Sequence, residues 1–585
     1  TVSVLYWLGP PPNRPLSLLP TTTKMARVLR AVFAALALAA CAAAVGSTPR
    51  HFEHHPAHAA EVDAHRRLHA STKLVDVWVN DTVETNGWIG LRLRKAPNAS
   101  NVPHSHGAVW YAAGYAEGSS IQKRIWQHWT NTVKPTPTST LAPEVENWLH
   151  EHIAFIQKRV AQYNTTDNWW KMVGLHMMMV QGIADGYNSV APSDEQLTFF
   201  DHYVHNFQYE LGDIAIATKA STPEESYLYA PGGCSAYVKP LENDLAFTHT
   251  TWNNFNAMLR VWRDIDLTGL RIAFPGYPGL IHSGDDWYML SNNLTVVETT
   301  NLIFNNNIYR HTVPKSVSEF MRVMVAHYIG VDGNSWVNAF RRYNSGTYNN
   351  QYMVLNNNLY VPGTPASELP DDLLWIVEQM PGMAPIGDVT HVIRSQGYWA
   401  SYNRPFFPET YNASGNQMMF EEYGEFFSHN HYVRADMIRR ADANIHSLAD
   451  IQKMIRYNNW EVDPMSVCPG CANPSSSPYF AIASRGDLCP HNANTSFGKI
   501  GPTGLISPTK AFGAIDAKVF SRARMLSNFS ALIVNGPTHE YLPPFRWSTS
   551  DVNQLCPART LSHLGQNDLQ QYDWVDTLDV VPNTV

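Results

Sequence analysis

Charged residues make up only 16% of this 585-residue chain, against about 25% in ordinary soluble domains. That scarcity, beside 44% hydrophobic residues, excludes a disordered chain, a coiled coil and a basic nucleic-acid binder. Several catalytic signatures are missing: there is no G-x-S-x-G elbow, no H-E-x-x-H, no Walker loop, and no G-x-G-x-x-G after a strand. No apolar run reaches the roughly 20 residues of a membrane-spanning helix, so no transmembrane segment is expected. Cysteine is sparse, at six residues.

What is present points to the secretory route. Residues 1–24 are Pro-rich and read as a non-native upstream extension. Met25 then opens a signal peptide over 25–46, with Arg27 and Arg30, an apolar run from Ala31 to about Ala44, and small residues beyond it. Seven N-x-[ST] sequons follow, at Asn80, Asn98, Asn164, Asn293, Asn412, Asn494 and Asn528, as expected of a secreted or lysosomal glycoprotein. The formal charge is −8, and adding the charges of all 25 His would bring it to +17, which suits an acidic compartment.

Removing the signal takes Cys41 with it and leaves Cys234, Cys468, Cys471, Cys489 and Cys556, an odd number for an oxidising compartment. Cys468 and Cys471 (CPGC) can close a short disulfide loop. Zinc binding there is disfavoured, because no second CxxC or His pair accompanies it. Cys489 and Cys556 can pair, which leaves Cys234 over.

Residues 47–74, with six His between 50 and 70, read as a solvated linker rather than a metal site. Apolar residues at helical spacing predict helices over 144–163, 167–186 and 195–212, and the Met run 177–179 reads as helix core. The chain thus divides into a helix-rich fragment, 75–233, and a fragment 234–585 that opens on a strand from Cys234. Leu245–His249 reads as the returning strand. Thr251 or Asn253 is expected to cap a helix through Arg263, with Phe255, Met258, Leu259 and Trp262 on one face. Further strands are expected within 279–298 and 352–361, and helices at 316–329, 335–343 and 444–457. Hairpins flanked by helices imply a layered α+β fold with an antiparallel sheet.

Gly232-Gly233-Cys234-Ser235 stands out at the fragment boundary. By itself it reads first as a structural turn with a buried thiol. If the peptide after Gly233 were cut, Cys234 would gain a free α-amine of reference pKa about 7.7–8.0, able to act as base for its own thiol.

A long series of segments bears on this choice: Gly233–Pro240 (GCSAYVKP), His249–Asn253 (HTTWN), Asn256–Arg260 (NAMLR), Asp285–Asp286, Glu298–Thr300 (ETT), Arg342–Gln351 (RYNSGTYNNQ), Glu378–Met383 (EQMPGM), Tyr398–Asn403 (YWASYN), Ser484–Asp487 (SRGD) and Pro543–Ser548 (PPFRWS). Collinear over about 75–585, they resemble the phospholipase B-like family, a branch of the N-terminal nucleophile hydrolases. The resemblance implies a four-layer αββα sandwich of two antiparallel sheets. It also implies self-cleavage between Gly233 and Cys234 and two fragments that stay associated. The activity implied is hydrolysis of a lipid or N-acyl small-molecule substrate, with glycerophospholipid deacylation as the named reaction. A non-catalytic glycoprotein that kept the fold is the contrasting reading. Cys234 is then the nucleophile, and His249 on the return strand could face it. Thr299 and Asn349 are candidates for oxyanion or amine contacts, with Thr300 and Asn350 as rivals separated only by strand parity. Arg485 is a candidate for lowering the thiol pKa. Asp285 and Asp286 read more simply as turn caps. No cofactor and no metal are expected. Two departures stand out: the first half lacks a Cys pair, and Gln351-Tyr352 stands where Gln-Trp is expected.

Overall fold

The computed structural model describes residues 55–583 apart from 98, 100–104, 135–140, 221–232, 468–475, 489–510 and 553–560. The signal-peptide reading, the Cys468–Cys471 loop, Cys489, Cys556, Asn98 and Asn494 therefore lie outside the described residues.

The first part is helical around one hairpin. It contains α1 (Pro56–Ser71), strands β1 (Val75–Thr82) and β2 (Trp88–Lys95), then α2 (Ser105–Ser120), α3 (Gln122–Thr132), α4 (Pro143–Tyr163), α5 (Asn168–Asn188), α6 (Phe199–Asn206) and α7 (Leu211–Ala217). Two of the three expected helices appear almost residue for residue as α4 and α5, and Met177, Met178 and Met179 are buried core. The third is divided between α6 and α7 by a turn over 207–210. The expected linker is corrected over 56–71: α1 is a regular helix, and His58, Val62 and His65 are buried on one side of it. Helices α2 and α5 approach so closely that only glycine fits. A Cβ on Gly114 would lie 2.0 Å from the Met179 carbonyl oxygen, and one on Gly182 would lie 2.1 Å from that of Tyr111.

The second part supplies most of the sheet. Its strands are β3 (Gly233–Pro240), β4 (Leu245–Asn254), β5 (Arg260–Asp266), β6 (Arg271–Gly276), β7 (Trp287–Leu290), β8 (Leu294–Thr300), β9 (Asn350–Asn356), β10 (Leu374–Glu378), β11 (Ile386–Asp388), β12 (Trp399–Ser401), β13 (Phe512–Ala514), β14 (Asp516–Ser521), β15 (Leu532–Asn535), β16 (Phe545–Arg546), β17 (Leu569–Gln570) and β18 (Val575–Asp576). A nine-stranded sheet runs β1-β2-β5-β6-β7-β8-β9-β10-β11, and a seven-stranded one runs β12-β3-β4-β14-β15-β18 with β13 beside β4. The fold is thus mixed α+β with two main sheets and a helix-rich first part. The expectation of purely antiparallel sheets is corrected at one place: β2 pairs with β5 in parallel, Trp88 opposite Arg260. The helical fragment thereby lends its hairpin to the larger sheet.

One buried cluster draws Val238 and Phe247 from the smaller sheet and Trp262, Trp287, Val297 and Met353 from the larger. Another packs Tyr237, Val519 and Val534 of the smaller sheet against α8 (Val433–Asp442) and α9 (Leu448–Ile455) through Met437, Ile438, Ile451 and Met454.

The helix expected through Arg263 is absent. A short 3₁₀ turn over Phe255–Ala257 leads directly into β5. Its apolar residues mimic helical spacing because they serve different cores: Phe255 and Met258 enter one cluster and Trp262 another.

Candidate active site

Cys234 is the second residue of β3 and only 2% exposed. It is a free thiol. Gly233 before it is required for space, because a Cβ there would sit 2.9 Å from the Trp252 indole. That indole lies under the Arg434 guanidinium, 4.3 Å from ring centre.

The backbone of Cys234 is held from both ends. Its N–H donates to Asn403 Oδ1 at 3.0 Å, and Arg434 donates to its carbonyl oxygen. Arg434 also donates to Asn403 Oδ1 at 2.7 Å, and Asn403 Nδ2 donates to the Thr300 carbonyl at 2.6 Å. Asn403 adopts φ of +68°, a left-handed conformation that Asn tolerates better than most residues.

The thiol faces Glu298, with Sγ 3.6 Å from Oε1. Tyr348 donates its hydroxyl to the same oxygen at 3.3 Å. The β3–β4 register sets Cys234 opposite Thr251 and Ala236 opposite His249, so His249 shares the face of Cys234. Ligating atoms of Cys234, His249 and Glu298 all lie within 4.8 Å of one another. Burial, and then the Glu298 carboxylate, push the Cys234 thiol well above its ordinary pKa, with Lys518 pulling the other way. Burial raises Glu298 well above the usual carboxylate range, helped by Asp286. Burial and Lys518 hold His249 well below the usual imidazole range.

A charged network lies behind Thr251. Lys518 Nζ donates to Thr251 Oγ1 at 2.7 Å and to Asp516 at 2.8 and 2.9 Å. Arg260 donates to Asp516 Oδ2 at 2.8 Å and also pairs with Asp285. Tyr277 donates to the other oxygen of Asp285 at 2.5 Å. The turn-cap reading of Asp285 and Asp286 is therefore replaced: both are fully buried, and Asp286, at φ +45°, accepts from Tyr288.

The other sequence candidates divide. Thr299 Oγ1 lies 2.6 Å from Ser401 Oγ, and Ser401 pairs with Ala236 of β3. Asn349 is tied to the Gly346 carbonyl and to Asp213. Thr300 and Asn350 oppose each other in the β8–β9 register, and their side-chain polar atoms are buried with no hydrogen-bond partner among the described residues. Arg485 is committed elsewhere, to Asp487 and to the carbonyls of Thr538 and Pro543. Glu298, Asn403, Arg434 and Lys518 were missed as site residues. Glu298 carried a signal, a carboxylate inside the apolar strand LTVVETT. Asn403 ends the segment YWASYN, while Arg434 and Lys518 carried no such signal.

The sequence model of the family described as Phospholipase B matches residues 75–577. The chain is 32% identical over 534 residues to phospholipase B-like protein B of Dictyostelium discoideum, covering 88% of this chain and 87% of that protein. It is 30% identical over 525 residues to phospholipase B-like protein A of the same organism, covering 84% and 86%. With a match across nearly all the described residues and relatives of this identity over most of their length, the chain belongs to the phospholipase B-like family.

Proposed function

We propose that the protein is a self-processed cysteine acyl hydrolase that releases fatty acid from glycerophospholipid esters through a Cys234 thioester, on the αββα scaffold of N-terminal nucleophile enzymes. The observation that carries this reading is the setting of Cys234: a free, buried thiol at the start of a paired strand, facing Glu298, with its backbone nitrogen held by Asn403.

In the cut, Sγ of Cys234 adds to the Gly233 carbonyl carbon through a five-membered ring. The Gly233–Cys234 C–N bond breaks and the thiol proton ends on the departing nitrogen, relayed by Glu298. Water then hydrolyses the thioester, leaving a Gly233 carboxylate and a Cys234 with free thiol and α-amine. The amine stays against Asn403 Oδ1. In turnover it takes the thiol proton as Sγ attacks the acyl carbonyl, and returns it to the leaving alkoxide. Asn350 and Thr300, whose side-chain donors are uncommitted, supply the oxyanion contacts in place of Asn349 and Thr299. A second turn with water releases the fatty acid and restores the thiol.

The two fragments stay together because separation would break the β2–β5 ladder and expose the Arg263–Glu117 and Arg92–Asp264 ion pairs. The reading of a secretory or lysosomal setting is supported by the sequons, of which Asn80, Asn164, Asn293, Asn412 and Asn528 all retain solvent exposure. The same thioester chemistry acts on N-acyl amides, so the substrate panel contains both classes.

The test is incubation at about pH 5 beside Cys234→Ala, with the N-terminus and mass of every fragment determined, followed by fatty-acid release from phospholipid micelles and N-acyl amides. A new N-terminus at Cys234, absent in the variant, and thiol-dependent acyl release are expected. A chain that stays intact and releases no acyl group refutes the reading.

A further inference from the structure

We propose that Cys234, His249 and Glu298 form a binding site for one zinc-class divalent cation in the uncut chain, and that the bound ion masks the nucleophile. The masking half rests on the function proposed above; the binding half does not. This departs from the sequence reading, which expected no metal.

The geometry is close to that of a ligand set. The three ligating atoms lie within 4.8 Å of one another, on strands of both sheets. Tetrahedral zinc, with bonds of about 2.3 Å to sulfur and about 2.0–2.2 Å to nitrogen and oxygen, separates sulfur from oxygen by about 3.6 Å and nitrogen from oxygen by about 3.4 Å. Sγ and Glu298 Oε1 already stand at 3.6 Å. A ring nitrogen of His249 lies within 4.8 Å of both, so an approach of at most about 1.4 Å, a side-chain adjustment, closes the set.

The second observation is unused ligating capacity. Both ring nitrogens of His249 and Oε2 of Glu298 are buried without a hydrogen-bond partner among the described residues. Such atoms are costly to leave unpaired, and three at one point indicate a missing partner. A thiolate and a carboxylate offset the charge of a dication, and thiolate with imidazole selects zinc, cobalt or cadmium over magnesium or calcium. Sulfur bonded to the ion cannot attack either Gly233 or an acyl carbonyl, so removal of the ion becomes a condition for cutting.

The probes are cobalt and zinc ions added to the purified full-length, uncut protein. One equivalent of cobalt should produce a thiolate-to-cobalt charge-transfer band that is absent from Cys234→Ser, with affinity reduced about tenfold or more in His249→Gln and Glu298→Gln. Independently of any variant, zinc should protect Cys234 from alkylation, read by mass on its own peptide. A band of equal strength in Cys234→Ser, or unchanged alkylation, overturns the site. Stoichiometric zinc should slow cutting before Cys234 at least about tenfold, reversed by chelator, and equal cutting rates overturn the masking. A cobalt band in a protein that no condition cuts would sustain the metal site and refute the self-processing reading instead.

Discussion

Replacing Asp516 by Asn tests the charged network behind Thr251 of β4, the residue paired with Cys234. Asp516 accepts from Arg260 at 2.8 Å, from Lys518 at 2.8 and 2.9 Å, and from the Thr251 N–H at 3.0 Å. Two cations, Arg260 and Lys518, face two anions, Asp285 and Asp516, and all four side chains have zero exposure. Asn preserves the shape and leaves one positive charge uncompensated. Removing one partner of a buried pair costs about 3–5 kcal/mol. A second substitution, Lys518→Met, removes the surplus cation. The double variant should therefore recover about 1–3 kcal/mol relative to the sum of the single losses. The assay is urea unfolding followed by tryptophan fluorescence, run on all four proteins with Cys234→Ala as background so that processing does not intervene. A single-variant loss under about 0.5 kcal/mol, or strictly additive losses, would refute the view that charge balance holds this layer together.

Other outcomes are equally specific. Asn403→Gly keeps the positive φ while removing the acceptor of the Cys234 N–H, and should slow cutting about tenfold, roughly 1.4 kcal/mol of barrier, in a fragment time course; unchanged kinetics would remove Asn403 from the site. Gly182→Ala should cost at least about 1–3 kcal/mol by overpacking α2 against α5, seen as a lowered unfolding midpoint. Stability should pass through a maximum near about pH 6, measured by thermal unfolding across a buffer series. Burial raises Asp286, Glu210 and Glu378 to about 7, so the stability of their neutral folded forms is present below the unfolded carboxylate pKa and lost as pH rises through about 7. Burial lowers His128, His152, His202 and His282 to about 3, so their contribution is present above the unfolded imidazole pKa and lost as pH falls toward about 3. A monotonic profile from pH 4 to 8 would contradict these opposed sets.

The residues themselves determined much of this protein. Period-3.6 burial marked α4, because a helix packed on one side repeats its apolar residues whatever it packs against, whereas α5 is buried on nearly every face. Alternation marked the β3–β4 hairpin; the expectation that Cys234 is left over from the cysteine count rests on pairings that lie outside the described residues. The collinear segments carry the family resemblance without any reference to the fold. What periodicity could not decide is which remote element each residue meets. Phe255, Met258 and Trp262 imitate a helix face yet enter separate cores. Glu298 reaches Cys234 across 64 residues, Asn403 across 169 and Arg434 across 200. Tertiary packing alone committed Arg485 to the carbonyls of Thr538 and Pro543 and left the side chains of Thr300 and Asn350 without a hydrogen-bond partner among the described residues. Side-chain spacing along a chain reports which face is buried; the joining of two sheets and their helices decides what lies on the other side of that face, and the site is built from those long-range contacts.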